Sequence, residues 1–246
     1  MKKAGIIGYG RFGRVLADLL SKKYVVRVYD IEKVSNDLKV EICSLDEVLE
    51  CILVFIAVPI RAFEQVVKEI ATYTLYNTTI IDVCSVKVYP VEIMEQHLPD
   101  HVGIIASHPH FGPDSYSPFR ELKATICPVR DVYKRINDVK EIFESQSIRT
   151  TEMTPDEHDR IAASSQGVTH FIGRVLNESG VRSTNMNTMG FNELLGVIEQ
   201  TCNDSWDLFK DLQRYNPHTN DMIDNLVGTI EKIHTQIKED AHYGYH

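Results

Sequence analysis

The sequence predicts an α/β protein in which a doubly wound parallel sheet is followed by an all-helical C-terminal domain. Near the N-terminus a glycine-rich turn joins a short apolar strand to a helix, and strand-like and helix-like segments then alternate as far as residue 152. From Thr154 onwards the strand patterns largely stop. We therefore expect two domains, residues 1–153 and residues 154–246.

The first βαβ unit is the most specific part of this pattern. Residues 4–7 and 25–30 have the composition of strands, and residues 15–20 supply the apolar face of a helix between them. The connecting turn reads Gly8-Tyr9-Gly10-Arg11-Phe12-Gly13. In a Rossmann-like fold the first glycine allows a tight turn, the second lets a pyrophosphate approach the backbone, and the third lets the helix pack against the strand. The turn therefore predicts a dinucleotide site.

The later segments complete the predicted sheet and begin the helical half. Residues 52–58 are a continuous apolar run, typical of a parallel strand buried on both faces. Thr154-Pro155-Asp156-Glu157 places an N-cap residue, a proline and two acids in the order that begins a helix. Because a small helical bundle leaves apolar faces uncovered, we expect a homodimer formed through this half. Further strands are predicted at residues 78–83, 103–106, 123–129 and 147–152, and helices at residues 61–71 and 91–97.

Composition excludes several classes of protein. The 246 residues carry a formal net charge of −9 without a basic cluster, so a nucleic-acid partner is not expected. No segment has the pattern of a signal peptide or a membrane span, and we expect a cytoplasmic protein. The five cysteines lack CxxC and metal-ligand spacings, so we expect neither a disulfide nor a metal site.

Asp30 bears on the choice of cofactor. It ends the second strand about 20 residues after the glycines, where a carboxylate accepts hydrogen bonds from ribose hydroxyls and repels a 2′-phosphate. We expect NAD, with NADP less favoured but possible because Arg27 and Lys33 are nearby cations. The alternative is an ordinary solvated residue at a strand end. The predicted cofactor-binding residues are Gly8, Gly10, Arg11, Phe12, Gly13, Asp30, Val58 and Pro59.

A histidine and a serine are predicted at the same edge of the sheet. His108 follows the apolar residues 102–106, and Pro109 restricts it to extended backbone. Gly112-Pro113 then turns the chain, which leaves His108 in a loop at a strand end, where ligands of open α/β sheets bind. Ser85 follows the preceding strand. Alone, the histidine could bond to backbone and the serine could cap a helix. Together, beside a dinucleotide site, they indicate a pair that binds a substrate hydroxyl.

The first long helix of the second half carries a polar stripe. Gln166, His170 and Arg174 are spaced four residues apart and share one helix face. Such a stripe is commonly a solvated surface. The small residues around it instead favour close packing or the approach of a ligand: Ala162, Ala163, Ser164 and Gly167.

Five motifs are spread over nearly the whole chain. In order they are GYGRFG, DVCSVK, SHPHFGPDS, EHDRIAASSQGVTHFIGRVL and NTMGFNELLGVIEQTCNDSWDLF. Together they resemble the prephenate/arogenate dehydrogenase family of tyrosine biosynthesis, and most closely its plant-type arogenate dehydrogenase branch.

The resemblance implies NAD-dependent oxidative decarboxylation of a cyclohexadienol, with arogenate as substrate and tyrosine as product. His108 matches the catalytic base that accepts the proton of the ring hydroxyl, and Ser85 matches the serine that bonds this hydroxyl and orients the histidine. Gln166, His170 and Thr201 are assigned to substrate binding. His158 and Asp159 also lie in a family motif, and for both we expect a structural role at a helix start.

Asp204 bears on which substrate is used. It matches an acidic position of the plant enzymes, and a carboxylate there would pair with the ammonium group that distinguishes arogenate from prephenate. The alternatives are a solvated helix acid, with prephenate converted to 4-hydroxyphenylpyruvate, or a dual-specificity cyclohexadienyl dehydrogenase.

The chain departs from the family pattern at two places. Residues 192–198 lack the arginine with which many bacterial members bind the substrate carboxylate, so Arg174, Lys210 or Arg214 would have to substitute. His110 stands where methionine is usual.

Two other functions compete with this interpretation. A β-hydroxyacid or 6-phosphogluconate-type dehydrogenase shares the domain order but uses a catalytic lysine from a C-terminal helix, and the His108 motif argues against it. A dinucleotide-sensing regulator would lack the base or the serine, and both are present.

Overall fold

The computed structural model describes residues 2–32, 34, 37–117 and 119–243, with backbone alone for residues 240–243. It divides into two compact units, Met1–His158 and Asp159–His246. Within the described part of the chain, none of the helices is long and apolar enough to cross a membrane.

The first unit is built on one eight-stranded sheet. Its strands are β1 (Lys3–Ile7), β2 (Val25–Tyr29), β3 (Glu41–Ile42), β4 (Leu53–Ile56), β5 (Thr79–Asp82), β6 (Gly103–Pro109), β7 (Leu122–Arg130) and β8 (Ile148–Glu152). The connecting helices are α1 (Arg11–Leu20), α2 (Leu45–Leu49), α3 (Ile60–Ile70), α4 (Val88–His97) and α5 (Ile136–Glu144). The strand order is β3-β2-β1-β4-β5-β6-β7-β8, and all neighbours are parallel except β6 and β7. The predicted doubly wound α/β fold is confirmed.

The core forms because the central strands are apolar on both faces. Ile6, Phe55, Ile81 and Ile105 come from four different strands and are fully buried. They belong to one cluster that also takes in Leu16 of α1. Burial of such side chains contributes roughly 1.5–3 kcal/mol each, which accounts for the accuracy of the sequence prediction in this region.

The strand that carries His108 is longer than predicted. The sequence indicated a strand ending at residue 106 with His108 in the following loop, but β6 continues through Pro109. The cause is the antiparallel neighbour β7, in which Thr125 pairs with His108 and Ala124 with Pro109. The loop assignment was therefore wrong, although His108 does lie near the carboxyl end of its strand.

The second unit is helical, as predicted. Helix α6 (Pro155–Ala162) begins in the first unit and leads into a π-helical turn (Ala163–Gly167), which is followed by α7 (Val168–Glu178), α8 (Met189–Cys202), α9 (Trp206–Tyr215) and α10 (Thr219–Tyr243). Helices α7 and α8 pack closely where the Thr201 side chain lies against Gly173.

Candidate active site

The glycine turn is tight at its ends and open in its middle. Gly8 has a φ of +96°, and a β-carbon there would lie 2.5 Å from the Ala57 carbonyl oxygen. A β-carbon at Gly13 would collide with the Gly8 carbonyl oxygen, whereas at Gly10 it would meet none of the described residues within 4 Å. Helix α1 has no acidic residue in its first turn, and no side chain in the described part of the protein caps it. Its free N–H groups and open approach fit a bound pyrophosphate.

Asp30 lies directly after β2 and braces the glycine turn. Its Oδ2 accepts a hydrogen bond from the Tyr9 backbone N–H at 2.6 Å, and its Oδ1 accepts one from the Glu32 backbone N–H at 2.8 Å. The carboxylate is thus held beside the turn, as a ribose-binding acid requires.

Arg27 and Lys33 are the two cations that could have favoured a 2′-phosphate near Asp30. Arg27 donates to the Glu47 carbonyl oxygen at 2.8 Å and forms ion pairs with Glu41 at 3.3 Å and Glu50 at 3.0 Å. The carboxylates of Glu41 and Glu50 already neutralise its guanidinium. Lys33 lies outside the described residues.

The other predicted cofactor residues line the same edge. Val58 is half-buried and its Cγ1 faces Gly8, and Pro59 is the exposed N-cap residue of α3. Arg11 is exposed and pairs with Asp114 at 2.5 Å, while the Phe12 ring is 6.4 Å from that of Phe111.

His108 is buried beside another histidine. Only 3% of its surface is exposed, and its Nδ1 is 2.8 Å from Nε2 of His158. Burial, followed by the positive charge available to His110, His158 and Lys87, lowers the pKa of His108 well below 6.5. The imidazole is therefore neutral near pH 7, the state in which it can accept a proton.

His110 extends this group along the same strand. Its ring centroid is 4.5 Å from that of His108, and its Nε2 is 2.8 Å from the Thr125 hydroxyl. Burial of much of the ring, followed by the charges of His158 and Lys87, lowers its pKa to about 4, although the residue keeps solvent contact.

Within the described residues, no three His, Cys, Asp or Glu side chains form a metal-binding group.

A buried ion pair lies at the strand ends that precede Ser85 and carry His108. Lys87 and Asp82 are both fully buried, and the Lys87 ammonium donates to Asp82 Oδ1 and, at 2.5 Å, to the Ser107 carbonyl oxygen. The Ser107 hydroxyl donates to the Asp82 carbonyl oxygen at 2.8 Å. Lys87 therefore ties the end of β5 to the end of β6.

The register of β5 and β6 brings the serine and the histidine to one edge. Asp82 pairs with Ala106, so Ser85 and His108 lie three and two residues beyond the same point of two adjacent parallel strands. Ser85 is half-buried. The carboxyl ends of β2, β1, β4, β5 and β6 thus carry, in order, Asp30, the glycine turn, Val58, Ser85 and His108.

In the second unit, His170 and Asp204 approach each other. His170 Nδ1 is 3.9 Å from Asp204 Oδ2, and the Arg174 guanidinium donates to the Asp204 carbonyl oxygen. Burial lowers the pKa of His170, with Asp204 opposing this effect and Arg174 adding to it. Buried His170 Nδ1 has no hydrogen-bond partner within the described part of the chain, so it retains capacity for a ligand.

The local structure around Gln166 and Thr201 differs from the simple helix faces that the sequence indicated. Gln166 falls in the π-helical turn, so the continuous stripe predicted from four-residue spacing holds for His170 and Arg174 only. Thr201 is fully buried, and its hydroxyl donates to the Val197 carbonyl oxygen at 2.8 Å, as in helix packing. The substrate-binding role of Thr201 stays a prediction.

Sequence reasoning missed two residues of the site. Lys87 lies in the DVCSVK motif, and a lysine next to a buried strand end was a usable signal. His158 was assigned to a helix start, and only the fold brings it to His108, 50 residues earlier in the chain.

The glycine turn of a nucleotide-binding fold and a buried, neutral histidine lie on one edge of the sheet. These features define the class of the protein: it is an oxidoreductase with a Rossmann-like nucleotide-binding domain. A family model described as "Prephenate dehydrogenase, nucleotide-binding domain" matches residues 17–151. The chain belongs to this prephenate/arogenate dehydrogenase family. A second model, "TYRAAT1-like, C-terminal domain", matches residues 175–245.

Individual relatives agree with this assignment. The chain is 31% identical to "Arogenate dehydrogenase 2, chloroplastic" of Arabidopsis thaliana, over 99% of this chain and 72% of that protein. It is 32% identical to "Arogenate dehydrogenase 1, chloroplastic" of the same plant, over 96% of this chain but only 39% of that protein. The fold is similar to the crystal structure of prephenate dehydrogenase from A. aeolicus in complex with hydroxyphenyl propionate and NAD+, with a TM-score of 0.75 and 20% identity over 98% of this chain and 92% of that one.

Proposed function

We propose that the protein catalyses the NAD-dependent oxidative decarboxylation of arogenate to tyrosine. Family membership and the plant arogenate dehydrogenases among its relatives support this activity. The observation that carries it is the neutral, buried His108 on the same sheet edge as the glycine turn. Prephenate is the alternative substrate, used alone or alongside arogenate. This alternative is supported by the description of the matching family model, which names prephenate dehydrogenase.

His108 and Ser85 act on the ring hydroxyl in this proposal. Ser85 bonds the hydroxyl and His108 accepts its proton, which contributes about 10²–10⁴-fold to the rate. NAD supplies the acceptor for the hydride that leaves the same carbon. The carboxyl group opposite departs as CO₂, and its electron pair completes the aromatic ring. His108 then returns its proton to the phenolate oxygen, so that the reaction consumes no net proton.

The proposed cofactor site comprises the glycine turn, Val58, Pro59 and Asp30. NAD rather than NADP is supported by Asp30 beside the turn and by the engagement of Arg27 with two carboxylates and one backbone carbonyl oxygen. A 2′-phosphate would meet the Asp30 carboxylate without a free partner in Arg27.

The proposed substrate side-chain site comprises Gln166, His170, Thr201 and Asp204. The Asp204 carboxylate, with His170 Nδ1 nearby, supplies the charge that an ammonium group would pair with. Arg174 is fixed by Asp204 and by the Trp206 ring, 5.4 Å from its guanidinium, and its buried Nε has no hydrogen-bond partner within the described residues. We therefore favour Arg174 over Lys210 and Arg214 for the substrate carboxylate.

Initial rates of NAD reduction with arogenate and with prephenate test this function. We expect a higher kcat/KM for arogenate, and we expect Asp204→Asn to reduce the preference by about tenfold or more, which corresponds to about 1.4 kcal/mol. Asp207→Asn is the matched control, because Asp207 pairs with Lys210 on the exposed surface of α9. Prephenate preference in the parent protein would support the alternative substrate, and inactivity with both would refute the proposal.

The base assignment has its own test. We expect His108→Asn to lower kcat about 10²–10⁴-fold while NAD affinity, measured by calorimetry, changes little. A loss of NAD binding instead would reassign His108 to the cofactor site.

A homodimer and a cytoplasmic location belong to the same proposal, with residues 1–153 binding NAD and residues 154–246 binding substrate and forming the dimer. Apolar side chains on α10 recur at alternating three- and four-residue intervals, the pattern of a helix that pairs with another. Ile230, Ile233 and Ile237 of this series are exposed in the single chain. The five scattered cysteines favour a reducing compartment.

A further inference from the structure

His158 makes a direct contact with His108 that the proposed reaction leaves unexplained. The two ring nitrogens, His108 Nδ1 and His158 Nε2, are 2.8 Å apart, and the rings meet edge to face with an interplanar angle of 72°. Only 2% of the His158 surface is exposed. In a bond between two imidazole nitrogens one nitrogen carries the hydrogen and the other accepts it. The contact therefore couples the tautomers of the two rings.

His158 is held firmly by the start of α6. The Thr154 hydroxyl accepts a hydrogen bond from the Glu157 backbone N–H, while the Glu157 carboxylate accepts one from the Thr154 backbone N–H at 2.9 Å. This capping box fixes the first helical turn. The His158 backbone N–H donates to the Thr154 carbonyl oxygen at 3.0 Å. The ring thus approaches His108 from a rigid element.

The base role of His108 selects one of the two possible arrangements. If His158 donated, the neutral His108 ring would carry its hydrogen on Nε2 and could not accept a proton there. If His108 Nδ1–H donates to His158 Nε2, then His108 Nε2 carries the lone pair that takes the substrate proton. When that proton arrives, the bond to His158 becomes charge-assisted and shortens.

We propose that His158 is the positioning residue of His108: its Nε2 accepts the His108 Nδ1 hydrogen and so keeps His108 Nε2 as the proton-accepting atom. This inference rests on the proposed function, since it assigns a role within the same reaction. It replaces the helix-start role expected for His158 from the sequence.

Several ionisable groups surround His108, so an uncharged hydrogen-bond acceptor suits its Nδ1. The titratable groups that act on His108 are His110 on the same strand, His158 from α6, and Lys87 beyond β5 with its partner Asp82. A neutral imidazole accepts the Nδ1 hydrogen without adding a charge to this group. It also leaves His108 easy to deprotonate, which the return of the proton to the product requires.

Nitrogen NMR of the full chain labelled with ¹⁵N-histidine tests the tautomer directly. We expect His108, assigned by the signals lost in His108→Asn, to carry its hydrogen on Nδ1 at pH 7.5. A His108 ring with its hydrogen on Nε2 would overturn the inference. This measurement needs no substrate, so it decides the inference even if the proposed activity is absent.

Kinetics of two His158 variants test the consequence. His158→Gln can place an amide oxygen near the Nε2 position, whereas His158→Leu cannot accept a hydrogen bond. We expect His158→Leu to lower kcat about 10- to 100-fold with KM and NAD affinity little changed, and His158→Gln to restore most of the rate. His101→Gln is the control, because His101 bonds the Leu75 carbonyl oxygen at the opposite end of β6.

The possible failures are distinguishable. Equal kcat in His158→Leu and the parent protein would overturn the positioning role while leaving the proposed function intact. The positioning role would also be overturned if His158→Leu is folded, as judged by circular dichroism, and its kcat is reduced no more than that of His158→Gln. No NAD reduction by the parent protein with either cyclohexadienol would instead refute the proposed function.

Discussion

Replacement of Lys87 by methionine should be among the most destabilising single changes in the first unit. Lys87 and Asp82 are both 0% exposed, and methionine would fill the volume but remove the cation. Asp82 Oδ1 would keep only its bond from the Cys84 N–H at 2.9 Å, and Oδ2 already has no hydrogen-bond partner within the described residues. Breaking a buried ion pair at one partner costs about 3–5 kcal/mol. For a chain of this size that corresponds to a Tm lower by roughly 6–20 °C.

The pH dependence of this loss has a definite sign. Burial raises the pKa of Asp82 above 3.8, against the opposing effect of Lys87, and removal of the cation raises it further. A carboxyl whose pKa is higher in the folded protein contributes stability below its unfolded pKa and loses it as the pH rises through the folded pKa. The deficit of Lys87→Met relative to the parent protein should therefore be small near pH 4 and grow towards pH 8.

Urea unfolding at several pH values, followed by circular dichroism, measures this deficit. Trp206 is the only tryptophan and lies in the second unit, so its fluorescence reports that unit separately. Lys68→Met, which removes an exposed pair with Glu64, should lower the free energy of unfolding far less than Lys87→Met does. Asp82→Leu combined with Lys87→Met should recover most of the loss, because no buried charge remains. A deficit below about 1 kcal/mol at pH 7, or one independent of pH, would refute this reasoning.

Three further tests address other parts of the molecule. Gly13→Ala should weaken NAD binding about tenfold or more by calorimetry, since its β-carbon meets the Gly8 carbonyl oxygen. Gly196→Ala is the control and should bind NAD normally, because its β-carbon would have no described residue within 4 Å. Asp30→Ala should weaken NAD binding by about tenfold but NADP binding by less, and an equal effect on both would contradict the ribose assignment. Ile230→Lys combined with Ile237→Lys should convert a dimer into monomers in light scattering, and a monomeric parent protein would refute the dimer.

The sequence predicted the parts of the fold that local patterns determine. Strands such as β4 are continuous apolar runs, and the glycine turn follows from three residues whose roles are steric. The extension of β6 to Pro109 depends on pairing with β7, whose Thr125 is 17 residues beyond His108. The π-helical turn at Ala163–Gly167 likewise altered the spacing of Gln166 without a local signal. Positions that depend on partners distant in the chain could not be obtained from periodicity.

The lowered pKa of His108 is consistent with the complete course of the proposed reaction. A base that only removed a proton would benefit from a higher pKa, because the protonated form would be more stable. Here the proton is taken from the ring hydroxyl and returned to the phenolate oxygen within one turnover, so the imidazolium form is needed only between these steps. Burial and the neighbouring His110, His158 and Lys87 make that form less stable than a solvent-exposed imidazolium would be, as the lowered pKa of His108 indicates. In the proposed arrangement His158 Nε2 accepts the His108 Nδ1 hydrogen without placing a negative charge beside the protonated ring, whereas a carboxylate in the same place would stabilise that form and retain the proton.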